Sequence, residues 1–191
     1  MEIEASDWLV LHFGMTGTVT FYEDRDNPPE YSVLRVDLKN SKESMAVISK
    51  RELGRIDLTG SPGSYLEDHD IGRDVLRCNK EVFVETLGKK RGSIKSALMD
   101  ESTFSGVGNI YSDEILFQCG VHPNKKVNRM DPGALKELFD AMRSALKEAI
   151  DAGADPDRMP DHFLITHREP RGKCPKCKGR INKKKISGRS S

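Results

Sequence analysis

The sequence has 191 residues, which is long enough for one large domain or for two small domains that each bury a core. Its 31 Lys and Arg residues nearly cancel 30 Asp and Glu residues, so a net charge of +1 predicts neither an acidic nor a basic partner. No apolar stretch approaches the length needed to span a bilayer, and the sequence opens without a signal-peptide pattern, so we expect a cytosolic protein that binds no membrane.

The first part of the chain predicts an antiparallel β region. Its candidate strands are Trp8–Phe13, Thr16–Tyr22, Tyr31–Leu38 and Met45–Ser49, with a turn at Asn40-Ser41. A cluster of Gly, Pro and Ser at residues 60–64 then breaks the strand pattern, and the spacing of apolar residues becomes helical soon afterwards. We therefore place a domain boundary after residue 72.

Two glycines interrupt the first strands around Met15, in the run HFGMTG at residues 12–17. A bulge that packs Met15 into the core is one interpretation. The other is an apolar wedge, because flipping a base out of duplex DNA leaves a hole that a side chain must fill. The later loop at residues 50–55 would complement such a wedge, with Arg51 replacing hydrogen bonds to the orphaned base and Leu53 stacking beside it.

Three helices are predicted after residue 73. Ser93 is the N-cap of a helix that reaches Met99, and a second helix runs from Asn109 to Cys119. The third has Asp131 as its cap and Pro132 in its first position, and Gly153 ends it. Its apolar residues form one stripe that we expect in the core: Leu135, Leu138, Phe139, Met142, Leu146 and Ile150.

The turn between the first two helices, Gly106-Val107-Gly108-Asn109, has two interpretations. Exposed amides at the start of the second helix would form an anion site, to which Asn109 and the nearby Lys95 would contribute. Further basic side chains precede this turn, namely Lys89, Lys90 and Arg91. A tight turn that only joins two packed helices explains the same glycines.

The last segment, residues 171–191, contains nine basic residues and no acidic one, which suits phosphate, although a solvated charge run has the same composition. Within it, Cys174 and Cys177 have the C-x-x-C spacing of a zinc knuckle. A structural zinc ion needs four ligands, and His162 and His167 both precede the pair, whereas ribbon fingers fill the shell from a knuckle downstream. Two free thiols remain the alternative. Four cysteines are too few for a disulfide framework.

Taken together, these segments resemble the formamidopyrimidine-DNA glycosylase and endonuclease VIII family over nearly the whole chain. HFGMTG is similar to the family's wedge loop, so the resemblance assigns the wedge to Met15. Arg51 and Leu53 fall at the family's two other intercalating positions, where Leu53 replaces the usual Phe. These three residues are therefore predicted to bind DNA.

The most specific resemblance is the run SIKSALMD, GVGNIYSDEILF and GVHP, which is similar to the family's helix-two-turn-helix. It implies that Lys95 and Asn109 contact phosphates beside the lesion. KCPKC with the later SGRSS resembles the first half of the family's zinc β-hairpin finger. That likeness implies a phosphate contact for Arg189 and half of a zinc site for Cys174 and Cys177.

The family's catalytic residues are an initial Pro-Glu pair, whose proline amine attacks the sugar to form a Schiff base while the glutamate handles protons. This sequence opens Met1-Glu2-Ile3-Glu4, and neither Glu2 nor Glu4 is expected to substitute. By this resemblance we expect a chain truncated at both ends, with no catalytic residue and little or no activity of its own. The full-length parent would excise oxidised bases and nick the abasic site.

The sequence thus predicts an α+β chain: a partial antiparallel β-sandwich at 1–72, a helical helix-two-turn-helix domain at 73–170 and an incomplete finger at 171–191. We expect a monomer in the cytoplasm, associated with the nucleoid, that binds damaged double-stranded DNA in base-excision repair and carries zinc. A non-enzymatic binder of damaged DNA is the alternative. A zinc-ribbon RNA-binding protein is a third interpretation, and an intercalating wedge argues against it because a wedge acts only in a duplex.

Overall fold

The computed structural model describes residues 7–14, 16–169, 171–186 and 188–191. The chain forms two compact units, Met1–Tyr65 and Leu66–Ser191. The units therefore divide shortly before the boundary that we predicted after residue 72, and the basic last segment belongs to the second unit. Within the described part of the chain, no helix has the length and apolarity required to cross a membrane. Strands and helices are both present, as the predicted α+β class requires.

The first unit contains two antiparallel sheets. Its strands are β1 (Trp8–His12), β2 (Thr18–Tyr22), β3 (Ser32–Asp37), β4 (Ser44–Ile48) and β5 (Arg55–Thr59). One sheet has the order β2-β4-β3, and the other pairs β1 with β5. The four predicted strands are confirmed: the first three are slightly shorter than predicted, and β4 begins and ends one residue earlier. The turn at Asn40 is also confirmed, and this residue adopts a left-handed φ of 60° that Asn tolerates well.

Strand β5 was not predicted, because its apolar residues do not face a core. Ile56 and Leu58 are 38% and 64% exposed. The apolar residues of this strand therefore do not mark a buried face, which is the pattern used to predict strands. Pairing with β1 satisfies the backbone of this strand instead. A cavity of about 270 Å³ is lined by side chains of both sheets, among them Val47 and Ile56. This arrangement is the partial sandwich that we predicted.

A short helix, α1 (Pro62–Asp68), occupies the segment where a plain break was predicted. Its buried Tyr65 anchors it to β5, since the tyrosine hydroxyl donates to Oδ2 of Asp57 at 2.6 Å. The hydroxyl oxygen also accepts from Nη2 of Arg55 at 2.7 Å. Pro62 lies in the first position of this helix, where its missing N–H costs nothing.

The second unit contains the helices. Its elements are β6 (Arg73–Asp74), α2 (Lys80–Gly88), α3 (Ile94–Leu98), β7 (Phe104–Ser105), α4 (Asn109–Gln118), α5 (Pro132–Asp151), β8 (Lys185–Ile186) and β9 (Arg189–Ser190). Its core is organised around Phe83, whose ring stacks on Phe104 at 5.2 Å and tilts against Phe139 at 5.3 Å between centroids. Strands β6 and β7 pair in parallel, and β8 and β9 form an antiparallel hairpin.

Helix α5 largely follows its prediction. The Asp131 side chain caps it by accepting from the Ala134 amide at 2.9 Å, and Gly153 follows its end with a left-handed φ of 69°. Ile150 is the exception, because it is 61% exposed although we predicted it in the core. At the end of this helix the core continues through the small residues Ala149 and Ala152, which are buried, and does not include Ile150.

Candidate nucleic-acid interface

The N-terminus of α4 is the part of the second unit best suited to an anion. Gly108 is the N-cap and its position carries no side-chain hydrogen bond to the helix. The starts of α2, α3 and α5 differ, because the side chains of Asn79, Ser93 and Asp131 each accept from a backbone amide there. The first amides of α4 therefore keep their unfilled donor capacity, with the positive end of the helix dipole behind them.

Asn109 lies in the first position of α4 rather than at its cap, where its side chain would have served the helix itself. Its Oδ1 atom is buried and has no hydrogen-bond partner among the described residues. This buried oxygen carries a desolvation cost that only a hydrogen-bond donor would relieve, and the side-chain NH2 group of the same amide is the part that could donate to an anion. Its neighbour Gly108 is exposed, and a Cβ built there would meet no atom within 4 Å. The helix start is therefore accessible.

The lysines that we expected to add charge to this turn are engaged elsewhere. Lys89 forms an ion pair with Glu85 at 2.7 Å, and Lys90 forms one with Asp100 at 2.9 Å. Lys95 is 1% exposed rather than displayed on the surface. The local positive charge is thus smaller than the sequence suggested, and the helix start itself is the principal anion-attracting feature of the turn.

Lys95 belongs to a buried ion cluster. Its Nζ lies 2.6 Å from Oδ1 of Asp113, and Nη1 of Arg168 lies 3.0 Å from the other oxygen of the same carboxylate. Lys95 also donates to the carbonyl oxygen of Ser190 at 2.8 Å, and the Ser191 hydroxyl donates to Asp113 at 2.6 Å. The cluster therefore joins α3, α4 and the last strand. Whether Lys95 contacts phosphate stays a prediction.

Arg189 lies beside this cluster on the hairpin. It is exposed at the start of β9 and its backbone pairs with Ile186 of β8, whose side chain is buried. Gly188 precedes it with a left-handed φ of 80°, and Ser187 lies outside the described residues. Lys95 and Arg189 line one cavity of about 190 Å³, so the structure brings together two of the residues predicted to contact phosphate.

Cys174 and Cys177 lie in one tight turn that a backbone hydrogen bond closes. The Lys178 amide donates to the Cys174 carbonyl at 2.8 Å, and Lys178 adopts a left-handed φ of 61°. A hydrogen bond from the Cys177 amide lowers the pKa of the Cys174 thiol, which favours the thiolate that a metal needs. Lys176 anchors the turn by donating to the last carbonyls of α4, those of Phe117 and Gln118, at 3.1 and 3.0 Å.

A complete metal site is not found in the described residues, where no group of three or more His, Cys, Asp or Glu side chains could hold an ion. The histidines considered from the sequence make other contacts. Nε2 of His167 bonds the Asp161 carbonyl at 2.7 Å, and the ring of His162 packs against Phe163. Cys174 and Cys177 thus supply two ligand positions and no more.

The two predicted wedge loops meet in the first unit. A Cβ at Gly14 would lie 2.6 Å from the Leu53 carbonyl oxygen, and a Cβ at Gly54 would lie 2.5 Å from that of His12. Glycine is therefore required on both sides of this contact. Arg51 is exposed and Leu53 is 50% exposed, as intercalating side chains would need to be. Met15, Glu2 and Glu4 lie outside the described residues.

Three charged residues of the second unit were missed from the sequence: Asp113, Glu114 and Arg168. Glu114 is 1% exposed, and its carboxylate accepts from the amides of Leu164 and Ile165 at 3.1 and 2.9 Å. The sequence did offer one indication: Asp113 and Glu114 stand directly before Ile115 and Leu116, in a helix whose residues are buried on several sides. Charges in such a position are seldom buried without partners.

Comparisons with known proteins show which family this chain resembles. The sequence profile of the formamidopyrimidine-DNA glycosylase H2TH domain matches residues 71–160, the segment that holds α2 to α5. A formamidopyrimidine-DNA glycosylase from Arabidopsis thaliana is 26% identical over 184 residues, and one from Prochlorococcus marinus subsp. pastoris is 29% identical over 202 residues. Residues 71–160 thus match the H2TH domain of formamidopyrimidine-DNA glycosylases, and nearly the whole chain is similar to proteins of that family. The predicted helix-two-turn-helix is therefore confirmed.

Solved structures of this family share the fold. A structure of MutM in complex with carbocyclic 8-oxo-G containing DNA has a TM-score of 0.84 and 25% identity, and it covers 100% of this chain and 73% of that one. A complex between the Lactococcus lactis Fpg and an abasic site containing DNA has a TM-score of 0.81 and 23% identity, with 98% and 73% covered. The alignment with the Arabidopsis protein covers 88% of this chain and 47% of that protein, and the one with the Prochlorococcus protein covers 96% and 68%. The chain thus spans about half of the plant relative.

Proposed function

We propose that this chain binds duplex DNA at abasic or oxidised sites, as the DNA-holding part of a base-excision-repair glycosylase. The observation that carries the proposal is the exposed start of α4, whose first backbone amides have no side-chain cap and keep their donor capacity. A helix N-terminus suits a phosphate, and the side-chain NH2 group of Asn109, in the first position of α4, would donate a further hydrogen bond to it. Two family members have been solved with abasic or 8-oxo-G containing DNA, which supports this class of partner.

Asn109→Ala tests the proposal, and Asn79→Ala is its matched control. Fluorescence anisotropy with a duplex that contains one abasic-site analogue gives the affinity, and thermal melting gives the stability. Asn109→Ala should weaken binding by about tenfold or more, the range for a lost hydrogen bond to a charged group, and should leave the melting temperature nearly unchanged.

Asn79→Ala removes the same amide from the start of α2, where the Asn79 side chain caps the Val82 amide at 2.8 Å. It should lower stability by about 1 kcal/mol and leave DNA affinity unchanged. Wild-type affinity in Asn109→Ala would contradict the proposal, as would equal binding of the abasic and intact duplexes.

For the whole protein we propose excision of an oxidised base followed by lyase cleavage of the abasic site. The similarity to formamidopyrimidine-DNA glycosylases supports this reaction class. The expectation that these 191 residues form little or no Schiff base stays a prediction, and borohydride trapping on abasic DNA checks it, since a covalent adduct would contradict it. A binder of damaged DNA without chemistry would also give no adduct, so trapping with the complete gene product separates the two functions.

We also propose that Cys174 and Cys177 provide two ligands of a structural zinc ion. The pre-arranged turn and the lowered pKa of the Cys174 thiol support this ion, and in such sites zinc ties a loop together and does no chemistry. Elemental analysis of the purified protein tests whether zinc occupies this site.

We further propose a monomer associated with the nucleoid in the cytoplasm, and sedimentation with and without DNA tests the monomer.

A further inference from the structure

The buried carboxylate of Asp113 connects three separate segments of the second unit. Its oxygens are reached by Lys95 of α3, by Arg168 and by Ser191, at 2.6, 3.0 and 2.6 Å. The side chains of Asp113 and Lys95 are only 4% and 1% exposed. Charges this deeply buried hold a fixed geometry, because moving either one away from its partner leaves an uncompensated charge in a medium of low dielectric constant.

The same cluster fixes the position of strand β9. The Lys95 ammonium, which is paired with Asp113, also donates to the carbonyl oxygen of Ser190 at 2.8 Å. Ser190 follows Arg189 directly in β9, and Ser191 returns to Asp113 through its hydroxyl. Two contacts from one ion cluster therefore grip the residues immediately after Arg189.

The other end of the connection is the start of α4. Asn109 and Asp113 are four residues apart in this helix, so their side chains lie one above the other on the same face. Asp113 thus lies one turn after Asn109 and is tied to the strand that displays Arg189. Among the described residues, Asp113 is the acidic residue that reaches both Ser191 and Lys95, so this link depends on its carboxylate.

We propose that Asp113 is a positioning residue for DNA binding, which holds Arg189 and the start of α4 as one phosphate-binding surface. The inference rests on the proposed function and deepens it. Asp113 itself touches no DNA, and as an anion it would repel phosphate. It acts through Lys95, which donates to the Ser190 carbonyl, and through the hydroxyl of Ser191.

The experiment compares Asp113→Asn with Asp140→Asn, which removes the same charge from an exposed pair with Lys80 in the same unit. Affinity is measured by anisotropy on abasic-analogue DNA over a range of salt concentrations. Asp140→Asn should bind equally or slightly more tightly, because a negative charge is lost. Asp113→Asn should bind about tenfold more weakly although it loses the same negative charge. Its slope of log affinity against log salt should fall by about one, which corresponds to one lost phosphate contact.

A double-mutant cycle with Arg189→Ala separates positioning from general damage. If Asp113 acts by placing Arg189, then Asp113→Asn adds no further loss in the Arg189→Ala background. If Asp113→Asn reduced affinity by the same factor in the wild type and in Arg189→Ala, the inference would be overturned. Melting curves show whether each variant is folded. If Asp113→Asn fails to fold, Ser191→Ala takes its place, since it removes only the 2.6 Å hydroxyl contact and is expected to weaken binding by a few-fold, again only when Arg189 is present.

The outcomes also distinguish this inference from the proposed function. Weakened binding by Asn109→Ala and Arg189→Ala with unchanged binding by Asp113→Asn and Ser191→Ala would leave the function standing and overturn the inference. Unchanged binding by all of these variants would overturn both.

Discussion

Two glycines before α4 meet different requirements although one residue separates them. Gly106 has a φ of 102°, a conformation that side chains with a Cβ rarely adopt. Gly108 has an ordinary φ of −90°, and a Cβ there would point into open space. The backbone turn therefore explains Gly106 alone. Gly is an acceptable N-cap, but Ser, Thr, Asn or Asp would also supply a side-chain cap, and close approach of a phosphate to the helix start explains why no side chain is present.

Substituting the two glycines in turn should separate stability from binding. Gly106→Ala should lower the free energy of unfolding by about 1–3 kcal/mol, the cost of a strained backbone position. Gly108→Ala should cost about 0.5 kcal/mol as a poorer cap, yet weaken DNA binding several-fold because its methyl group stands where the phosphate would approach. Urea unfolding and anisotropy measure the two effects. If Gly108→Ala bound DNA like the wild type, the phosphate would not approach at this residue.

At the scale of elements, prediction succeeded where local chemistry repeats along the chain. The cap and apolar stripe of α5 and the alternation in β2 could be found because each depends on neighbours in sequence. Strand β5 could not, since its pairing with β1 depends on residues far apart in the chain. The ion cluster could not be predicted for the same reason, because Asp113 and Ser191 lie 78 positions apart in the sequence. Sequence reasoning identified Lys95 as a site residue, but its burial depends on these distant partners.

The turn after α3 depends on Asp100. Its carboxylate accepts from the Ser102 and Thr103 hydroxyls at 2.7 and 2.9 Å and from the Lys90 ammonium at 2.9 Å. These bonds, first that of Ser102 and then that of Lys90, lower the pKa of Asp100 from 3.8 to about 2. Because the pKa is lower in the folded than in the unfolded state, the carboxylate stabilises the fold above the unfolded pKa. That contribution is lost as the pH falls towards about 2.

Asp100→Asn should therefore destabilise the protein in a pH-dependent way. At neutral pH we expect a loss of about 1 kcal/mol in the free energy of unfolding, reduced for the partial exposure of this group. The difference in free energy of unfolding between the variant and the wild type should stay constant down to about pH 5 and then become smaller as the pH falls below about 4. Urea denaturation followed by circular dichroism measures it. Ser102→Ala should show a smaller gap with the same pH dependence, and a gap that persisted unchanged into acid would refute the assignment.

At the scale of the whole molecule, charge is distributed unevenly. The net charge is +1, yet residues 171–191 contain nine basic side chains and no acidic one. Several of these side chains already have structural roles, as Lys176 does at the end of α4. Lys183 and Lys184 are exposed just before β8, and they are free to contribute to a phosphate-facing surface through charge alone.

Binding through this segment should be salt-dependent and insensitive to the lesion. Replacing Lys183 and Lys184 together by Gln should weaken binding to abasic and intact duplexes by the same factor, and should reduce the slope of log affinity against log salt by about 1–2. Replacing Lys136 and Lys147 of α5 by Gln changes the net charge equally, so it controls for the overall electrostatic field. Equal effects of the two double variants would mean that net charge, and not this segment, attracts the DNA. A change of preference between the two duplexes would instead assign Lys183 or Lys184 to recognition of the lesion, because contacts with phosphate alone carry no such information.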